Sequence, residues 1–349
     1  MYASGDDVLV IGDLHYKPKT VHTMDRFNKE VLGHVKENKI SLVVCLGDTL
    51  DTFERINMAC LNQAVRFFVK LSKYSEVVVL IGNHDRMNNN DYMTDRHPFI
   101  GLQSAGIKVI EKSWWDKKRN LIYVPYVPPG MFKKALCNTG WIEGKPPQPK
   151  IIFGHQEFKG ADYGVIKSSN GDVWTENLPI VVSGHIHKFQ VLTGVIYPGA
   201  PIQHNYGESS DRALMYIEHP DKPLAYKRIK MFSVPEKRVL QIEAENMLLL
   251  SERKLMKMCD CKNGTILFKL VINAYPSELK ALRKSRIYTC AQKICDKIEI
   301  KTKKTAYHNI DATKLHDKKL GIGLFVEKVK ELLEEDTEAI LLFEKMFTY

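Results

Sequence analysis

Five apolar runs in this 349-residue chain each stop at a glycine, and each glycine is followed by residues able to bind a metal or move a proton. They are Gly12-Asp13-Leu14-His15, Gly47-Asp48, Gly82-Asn83-His84, Gly154-His155 and Gly184-His185-Ile186-His187. Singly, each has an ordinary explanation: Asp and Asn are turn residues, and a lone histidine is more often a satisfied core residue than a ligand. Five at the same place relative to an apolar run are not explained by turn chemistry. Asn83 can offer a carbonyl oxygen to a cation, His84 can give or take a proton, and Asp85 can hold the loop in shape.

The inventory suits two cations. An extended Asp-x-His segment puts both side chains on one side, so Asp13 and His15 can grip one ion, and His185 and His187 repeat the spacing. A carboxylate such as Asp48 can bridge two ions about 3.5–4 Å apart. Imidazole and oxygen donors without thiolate favour manganese, iron or zinc in a catalytic setting over a closed structural zinc site. Ions held in this way lower the pKa of bound water and neutralise phosphate charge.

The elements that deliver these residues follow an α/β grammar. Val8 to Ile11, Ser41 to Leu46 and Val77 to Leu80 read as buried strands, because β-branched runs of this length suit a sheet covered on both faces. Between them, residues 23–38 and 59–71 carry helical spacing. Further strands are expected at 121–124, 151–153, 180–182, 195–197 and 213–217, with a polar loop over 88–98 and a Pro-rich connector over 144–149. If the strands share a sheet, their ends converge on one edge, where open α/β sheets bind ligands. Beyond residue 232 the pattern changes to a small α+β unit. It has strands at 238–242 and 265–272, helical spacing at 247–258 and 277–284, and a strand near 294–300. Residues 323–347 read as one or two amphipathic helices.

Composition narrows the class. Apolar residues make up 44% and charged residues 26%, as in a soluble globular protein. No stretch approaches the roughly 20 apolar residues of a membrane span. The N-terminal residues lack a basic-then-apolar pattern, so no signal peptide is expected. Seven cysteines without a framework point to an intracellular, reducing compartment, and Cys259-Asp260-Cys261 matches zinc-site spacing poorly. The net charge of +10 is unevenly spread. Residues 262–319 hold 14 Lys/Arg against 5 Asp/Glu, a net +9, whereas 320–349 hold 3 against 7, a net −4. Such a basic block is either a solvated face or the footprint of a phosphate backbone.

Across residues 8–217 the five motifs resemble the calcineurin-like metallophosphoesterase superfamily. The resemblance implies that Asp13, His15, Asp48 and His187 hold one divalent metal, and that Asp48, Asn83, His155 and His185 hold the other, with manganese the expected ion. It also implies His84 as proton donor to the leaving oxygen, oriented by Asp51. Protein phosphatases of the superfamily carry Gly-Asp-x-x-Asp-Arg-Gly and Gly-Asn-His-Glu. Here Asp51 is followed by Thr52-Phe53, and the acid after His84 is Asp85. An arginine clamp on a phosphate monoester is therefore missing from its expected place, which favours phosphodiesters.

Tyr197-Pro198-Gly199-Ala200-Pro201-Ile202-Gln203 with Tyr206-Gly207-Glu208, and Gly184-His185-Ile186-His187-Lys188, are similar to segments of the nuclease subunit of double-strand-break repair complexes. That group comprises the bacterial SbcD type with phage, archaeal and eukaryotic relatives. The expected fold is thus a layered α/β metallophosphoesterase β-sandwich flanked by helices over 1–231. It is followed by an α+β DNA-binding cap over 232–319 and C-terminal helices over 320–349 that dock a coiled-coil, SMC-like ATPase. A homodimer is expected from the family alone. Archaeal and eukaryotic relatives place a second histidine three residues after the bridging aspartate, where this chain has Asp51, so the balance of endonuclease and exonuclease activity does not carry over. The expected activity is DNA phosphodiester hydrolysis at ends or hairpins. The alternatives are a phosphatase or cyclic-phosphodiester hydrolase of the same superfamily and, against the full ligand set, a metal-free scaffold.

Overall fold

The computed structural model describes residues 7–51, 55–164, 166–220, 225–259 and 266–303. The first part of the chain runs β1 (Val8–Ile11), α1 (Val21–Asn38), β2 (Leu42–Cys45), α2 (Met58–Leu71), β3 (Glu76–Leu80) and β4 (Lys108–Ile110). It continues through β5 (Trp114–Asp116), β6 (Leu121–Val124), α3 (Phe132–Cys137), β7 (Ile151–His155), β8 (Ile180–Gly184), β9 (Gln190–Leu192) and β10 (Val195–Tyr197). β11 (Leu214–His219) and β12 (Ala225–Ile229) complete two six-stranded sheets.

The first sheet has the order β12-β11-β1-β2-β3-β4, with β1 to β4 parallel. The second has the order β5-β6-β7-β8-β10-β9, with β6, β7, β8 and β10 parallel. One face of each sheet meets the other: Val10, Val44 and Val78 share a core with Tyr123, Phe153 and Val182. The alternate residues Leu9, Val43 and Val79 face α1 and α2 through Met24, Phe27, Phe67 and Phe68. Ile122, Ile152 and Val181 face α3 and the aromatic residues Phe158 and Trp174. Both faces of each central strand are therefore buried, which is why those strands read as continuous apolar runs. The α/β layered sandwich flanked by helices is the architecture the sequence predicts.

The helix limits have local causes. The Asn57 side chain accepts from the N–H groups of Ala59 and Cys60, so α2 starts at Met58. Lys39 takes a left-handed conformation (φ 52°) and returns its N–H to the Val35 carbonyl, ending α1. Four strands, β4, β5, β9 and β12, carry no signal in the sequence: all are short, and all four are sheet edges with partly exposed positions.

The chain then builds a three-stranded parallel sheet from β13 (Glu236–Glu243), α4 (Ala244–Leu248), α5 (Glu252–Met258), β14 (Ile266–Ala274), α6 (Leu279–Lys284), α7 (Arg286–Ile294) and β15 (Lys297–Thr302). It has its own core of Met247, Leu255, Leu270, Ile272, Leu282 and Ile287. Two expectations are corrected here. The helical stretch over 247–258 is broken, because Ser251 accepts from the Lys254 N–H and starts a second helix. Ile294 ends a helix rather than starting a strand. Cys259 and Cys295 bring their sulfurs to 4.0 Å. The expected helices at 320–349 lie outside the described residues.

The strand ends converge differently from the way a single shared sheet would bring them together. The five glycine-ended runs do not share one sheet: β1, β2 and β3 belong to the first and β7 and β8 to the second. Their carboxyl ends still meet, because the sheets stack face to face and point those ends the same way. Contact there is tight enough to exclude a side chain. A Cβ at Gly12 would lie 2.1 Å from the Gly199 carbonyl oxygen, and one at Gly82 would lie 2.2 Å from the Asp48 backbone nitrogen. Gly12→Ala therefore forces backbone apart, with an expected loss of about 1–3 kcal/mol or more in denaturant unfolding. Wild-type stability would show that the loops are free to separate.

Candidate metal centre

The loop after β1 pairs with the loop after β2: the His15 N–H donates to the Asp48 carbonyl at 2.9 Å and the Tyr16 N–H to Thr49 at 2.8 Å. His15, Asp48 and His185 all have left-handed backbone (φ 42°, 48° and 83°), so each loop turns sharply as it leaves its strand. The extended geometry inferred for Asp13-Leu14-His15 and His185-Ile186-His187 is therefore corrected. His185 and His187 do not face a common partner. His185 Nδ1 meets Asn83 Oδ1 at 2.9 Å, while His187 Nε2 meets His15 Nε2 at 3.0 Å.

Two clusters result, and Asp48 touches both. On one side His155 Nε2 lies 2.9 Å from Asn83 Oδ1 and 3.3 Å from Asp48 Oδ1. On the other, Asp48 Oδ2 lies 3.6 Å from His15 Nε2. Asp13 sits between them, its Oδ1 accepting the His185 N–H at 2.8 Å and lying 3.7 Å from His155 Nδ1. Asp48, His155 and His185 form one ligand group, and His15, Asp48 and His84 another. All seven residues expected as ligands are thus gathered at one place.

Three imidazoles have a partner beside their outer nitrogen, and those of His155 and His187 are hydrogen-bonded to it. His155 Nδ1 donates to the Leu46 carbonyl at 2.8 Å, His15 Nδ1 lies 3.2 Å from Asp51 Oδ1, and His187 Nδ1 lies 3.5 Å from Glu208 Oε1. Such partners hold a ligating imidazole in one tautomer and orientation. Asp51 meets His84 as expected, but through its backbone. Its backbone carbonyl, not its carboxylate, accepts from His84 Nδ1 at 3.1 Å. The carboxylate turns to His15 and to Lys17 Nζ at 2.8 Å, because the chain has already turned after Leu50.

Asp85 ties two loops together. Its buried carboxylate accepts the N–H groups of Thr49 (3.2 Å), Leu50 (2.9 Å) and Gly82 (3.1 Å). Burial and the charge of Asp48 push its carboxyl up to about 6 against those three donors. Burial also opposes the charge on Asp48, but His155, His15 and His84 outweigh it and hold that carboxyl well below the usual range. Burial lowers the His155 imidazole, yet Asp48 brings it up to about 9. Burial, followed by repulsion from His155, takes His185 down to about 4.

The donor set fits divalent cations. Asp13 Oδ2 is buried and has no hydrogen-bond partner among the described residues, an arrangement that is costly unless a cation satisfies it. Imidazole, carboxylate and one amide oxygen, without thiolate, suit a first-row divalent metal. A cleft of about 490 Å³ opens beside the clusters, bordered by Tyr163, His185, His187, Lys188 and Glu208.

A calcineurin-like phosphoesterase family profile matches residues 7–189, which span both ligand clusters. The chain belongs to this family. It is 30% identical over 338 residues to a protein of Invertebrate iridescent virus 3 provisionally named phosphoesterase 078R, covering 95% of this chain and 94% of that relative. It is 32% identical over 291 residues to a protein of Invertebrate iridescent virus 6 provisionally named phosphoesterase 244L, covering 80% of this chain and 98% of the relative. An uncharacterised protein of Acanthamoeba polyphaga mimivirus is 22% identical over 218 residues, which cover 57% of this chain and 16% of that protein. As a calcineurin-like phosphoesterase the chain is a metal-dependent hydrolase of phosphate esters. Among the described residues, no helix is long and apolar enough to cross a membrane.

The structure adds residues to the phosphoesterase site that the motifs did not mark. Glu208, read only as part of a motif, accepts from the His204 N–H (2.8 Å) and from Arg212 (2.9 Å) while facing His187. Burial raises its carboxyl, but His187 and Arg212 outweigh this and hold it at about 2. His204 packs against His15 and His187 at ring distances of 4.8 and 5.0 Å. No glycine-ended strand leads into it, so only its proximity reveals it.

Two predictions follow from this geometry. Asp85→Ala strands buried donors and is expected to cost at least about 1–3 kcal/mol, the penalty for one such group, in thermal unfolding. Glu208 titrates near its ordinary 4.5 when unfolded and near 2 when folded. Its stabilisation of the metal-free protein is therefore complete above 4.5 and lost as pH falls towards 2. Glu208→Gln should flatten the melting profile over that window; an unchanged acid limb would remove the carboxylate from this role.

Proposed function

We propose that this phosphoesterase is a two-metal DNA nuclease acting on phosphodiester bonds at DNA ends or hairpins, as in double-strand-break repair and recombination. The observation that carries the reading is the joining of two ligand clusters through Asp48 where neighbouring arginines are committed to the protein itself. Arg86, two residues after His84, donates to the carbonyls of Asn88 (3.0 Å), Tyr126 (2.9 Å) and Asp91. Arg212, at the cleft, donates to the carbonyls of His187 and Ser209 and to Glu208. Neither side chain is free to grip a terminal phosphate as a monoester clamp does.

In this reading Asp13, His15, Asp48 and His187 hold one cation and Asp48, Asn83, His155 and His185 the other, with manganese the proposed ion. The bound ions would supply a water of lowered pKa and neutralise phosphate charge. With Nδ1–H held by the Asp51 carbonyl, His84 in its imidazolium form would pass the Nε2 proton to the departing sugar oxygen and become neutral. Exposed Lys280, Arg283, Lys284, Arg286, Lys293 and Lys297, on α6, α7 and β15, would contact phosphates and position the duplex without reading its sequence. A homodimer and a coiled-coil ATPase partner docked by residues 320–349 belong to the same reading.

The test is cleavage of linear duplex and hairpin DNA by the full-length protein with Mn2+, alongside p-nitrophenyl phosphate and a cyclic dinucleotide. DNA cleavage is expected, and His84→Ala should reduce it about 10²–10⁴-fold while metal binding persists. Intact DNA with rapid turnover of either small ester would overturn the nuclease reading in favour of a phosphatase or cyclic-diester hydrolase.

A further inference from the structure

His204 lies on the segment between β10 and β11 and is 6% exposed. Its Nε2 meets the Asp13 carbonyl at 3.0 Å. A carbonyl only accepts, so Nε2 carries the proton and Nδ1 carries a lone pair. That Nδ1 is buried and has no hydrogen-bond partner among the described residues. A satisfied core histidine would pair both nitrogens; here one is left over, at a typical penalty of about 1–3 kcal/mol. The ring that carries it lies against the metal centre, 4.8 Å from the His15 ring and 5.0 Å from the His187 ring. His15, His187 and His204 each offer a nitrogen, and these atoms lie within 4.8 Å of one another.

The anchoring of His204 matches that of the other site histidines. His155 and His187 each tie Nδ1 to a carbonyl or carboxylate while Nε2 meets another site residue, the usual arrangement of a ligating imidazole, and His204 likewise ties one nitrogen to a carbonyl and leaves the other unpaired. Its backbone is fixed as well: the N–H goes to Glu208 Oε2, and the carbonyl accepts from Lys237 Nζ at 3.0 Å.

We propose that His204 Nδ1 is an additional ligand of the cation position formed by Asp13, His15, Asp48 and His187, giving that position three imidazoles. The inference rests on reading the site as a two-cation centre. Three imidazoles bias the position towards metals that bind imidazole well, such as Fe2+, Co2+ or Zn2+, and against Mg2+, which prefers oxygen and water.

The experiment is titration of the metal-free, full-length protein with Co2+, followed by calorimetry and visible absorption, comparing wild type with His204→Asn, which keeps an N–H for the Asp13 carbonyl. Wild type is expected to take two ions. In His204→Asn one site should weaken by at least the ~10–100-fold that losing even an outer-shell partner costs, with a changed Co2+ spectrum, while the other site is retained. Equal affinities and an unchanged spectrum would make His204 a packing residue and overturn the proposal. Wild type that fails to take two ions would overturn the two-cation reading instead. Should the variant not fold, 15N NMR of histidine-labelled wild type with Zn2+ decides. The His204 Nδ1 resonance is expected to move with those of His15 and His187, and an unmoved resonance refutes ligation.

Discussion

A single buried carboxylate, Asp48, links the parts of this molecule. One oxygen faces His155 and accepts the His84 N–H at 2.8 Å; the other faces His15. A charge buried at 2% exposure is costly unless opposed, and here three imidazoles oppose it. The same contacts join residues from both sheets, so the charge balance of the site and the stacking of the sandwich depend on one another. Asp85 completes the arrangement by fixing the backbone on either side of Asp48 through Thr49, Leu50 and Gly82.

The close approach of the loops explains why the chain repeats glycine at strand ends. Five glycines do not merely punctuate turns. At Gly12 and Gly82 the neighbouring backbone occupies the space a side chain would need. Dense packing there holds polar groups at distances suited to ligation, and left-handed backbone at His15, Asp48 and His185 aims them. Strain and close contact at a strand end are tolerable because the β-branched core behind them is buried on both faces.

Behind the clusters, the segment from Gln203 to Glu208 connects the site to the small parallel sheet. Gln203 and the Lys237 backbone exchange hydrogen bonds at 2.6 and 3.1 Å, and Tyr206 donates to Asp296. Glu208, in the same stretch, faces His187. Any shift of β13 against the sandwich therefore pulls on a loop that touches a ligand. The small sheet is thus hydrogen-bonded to a segment that reaches the site.

The sequence by itself determined the residue types, the strands that carry them and the α/β class, because apolar periodicity and strand-ending glycines are local signals. The seven ligand candidates were legible for the same reason: each sits one to three residues past the glycine that follows a buried run. What only the tertiary structure decided is how those ends meet. They come from two sheets rather than one, a fact that no spacing within a strand contains. His185 and His187 part towards different clusters because left-handed backbone breaks their alternation. The Asp51 carboxylate serves His15 while its carbonyl serves His84. His204 enters from a segment with no strand signal at all, brought to the site by a hydrogen bond to a residue 191 positions away. Local physics chose the chemistry, and long-range packing assigned the partners.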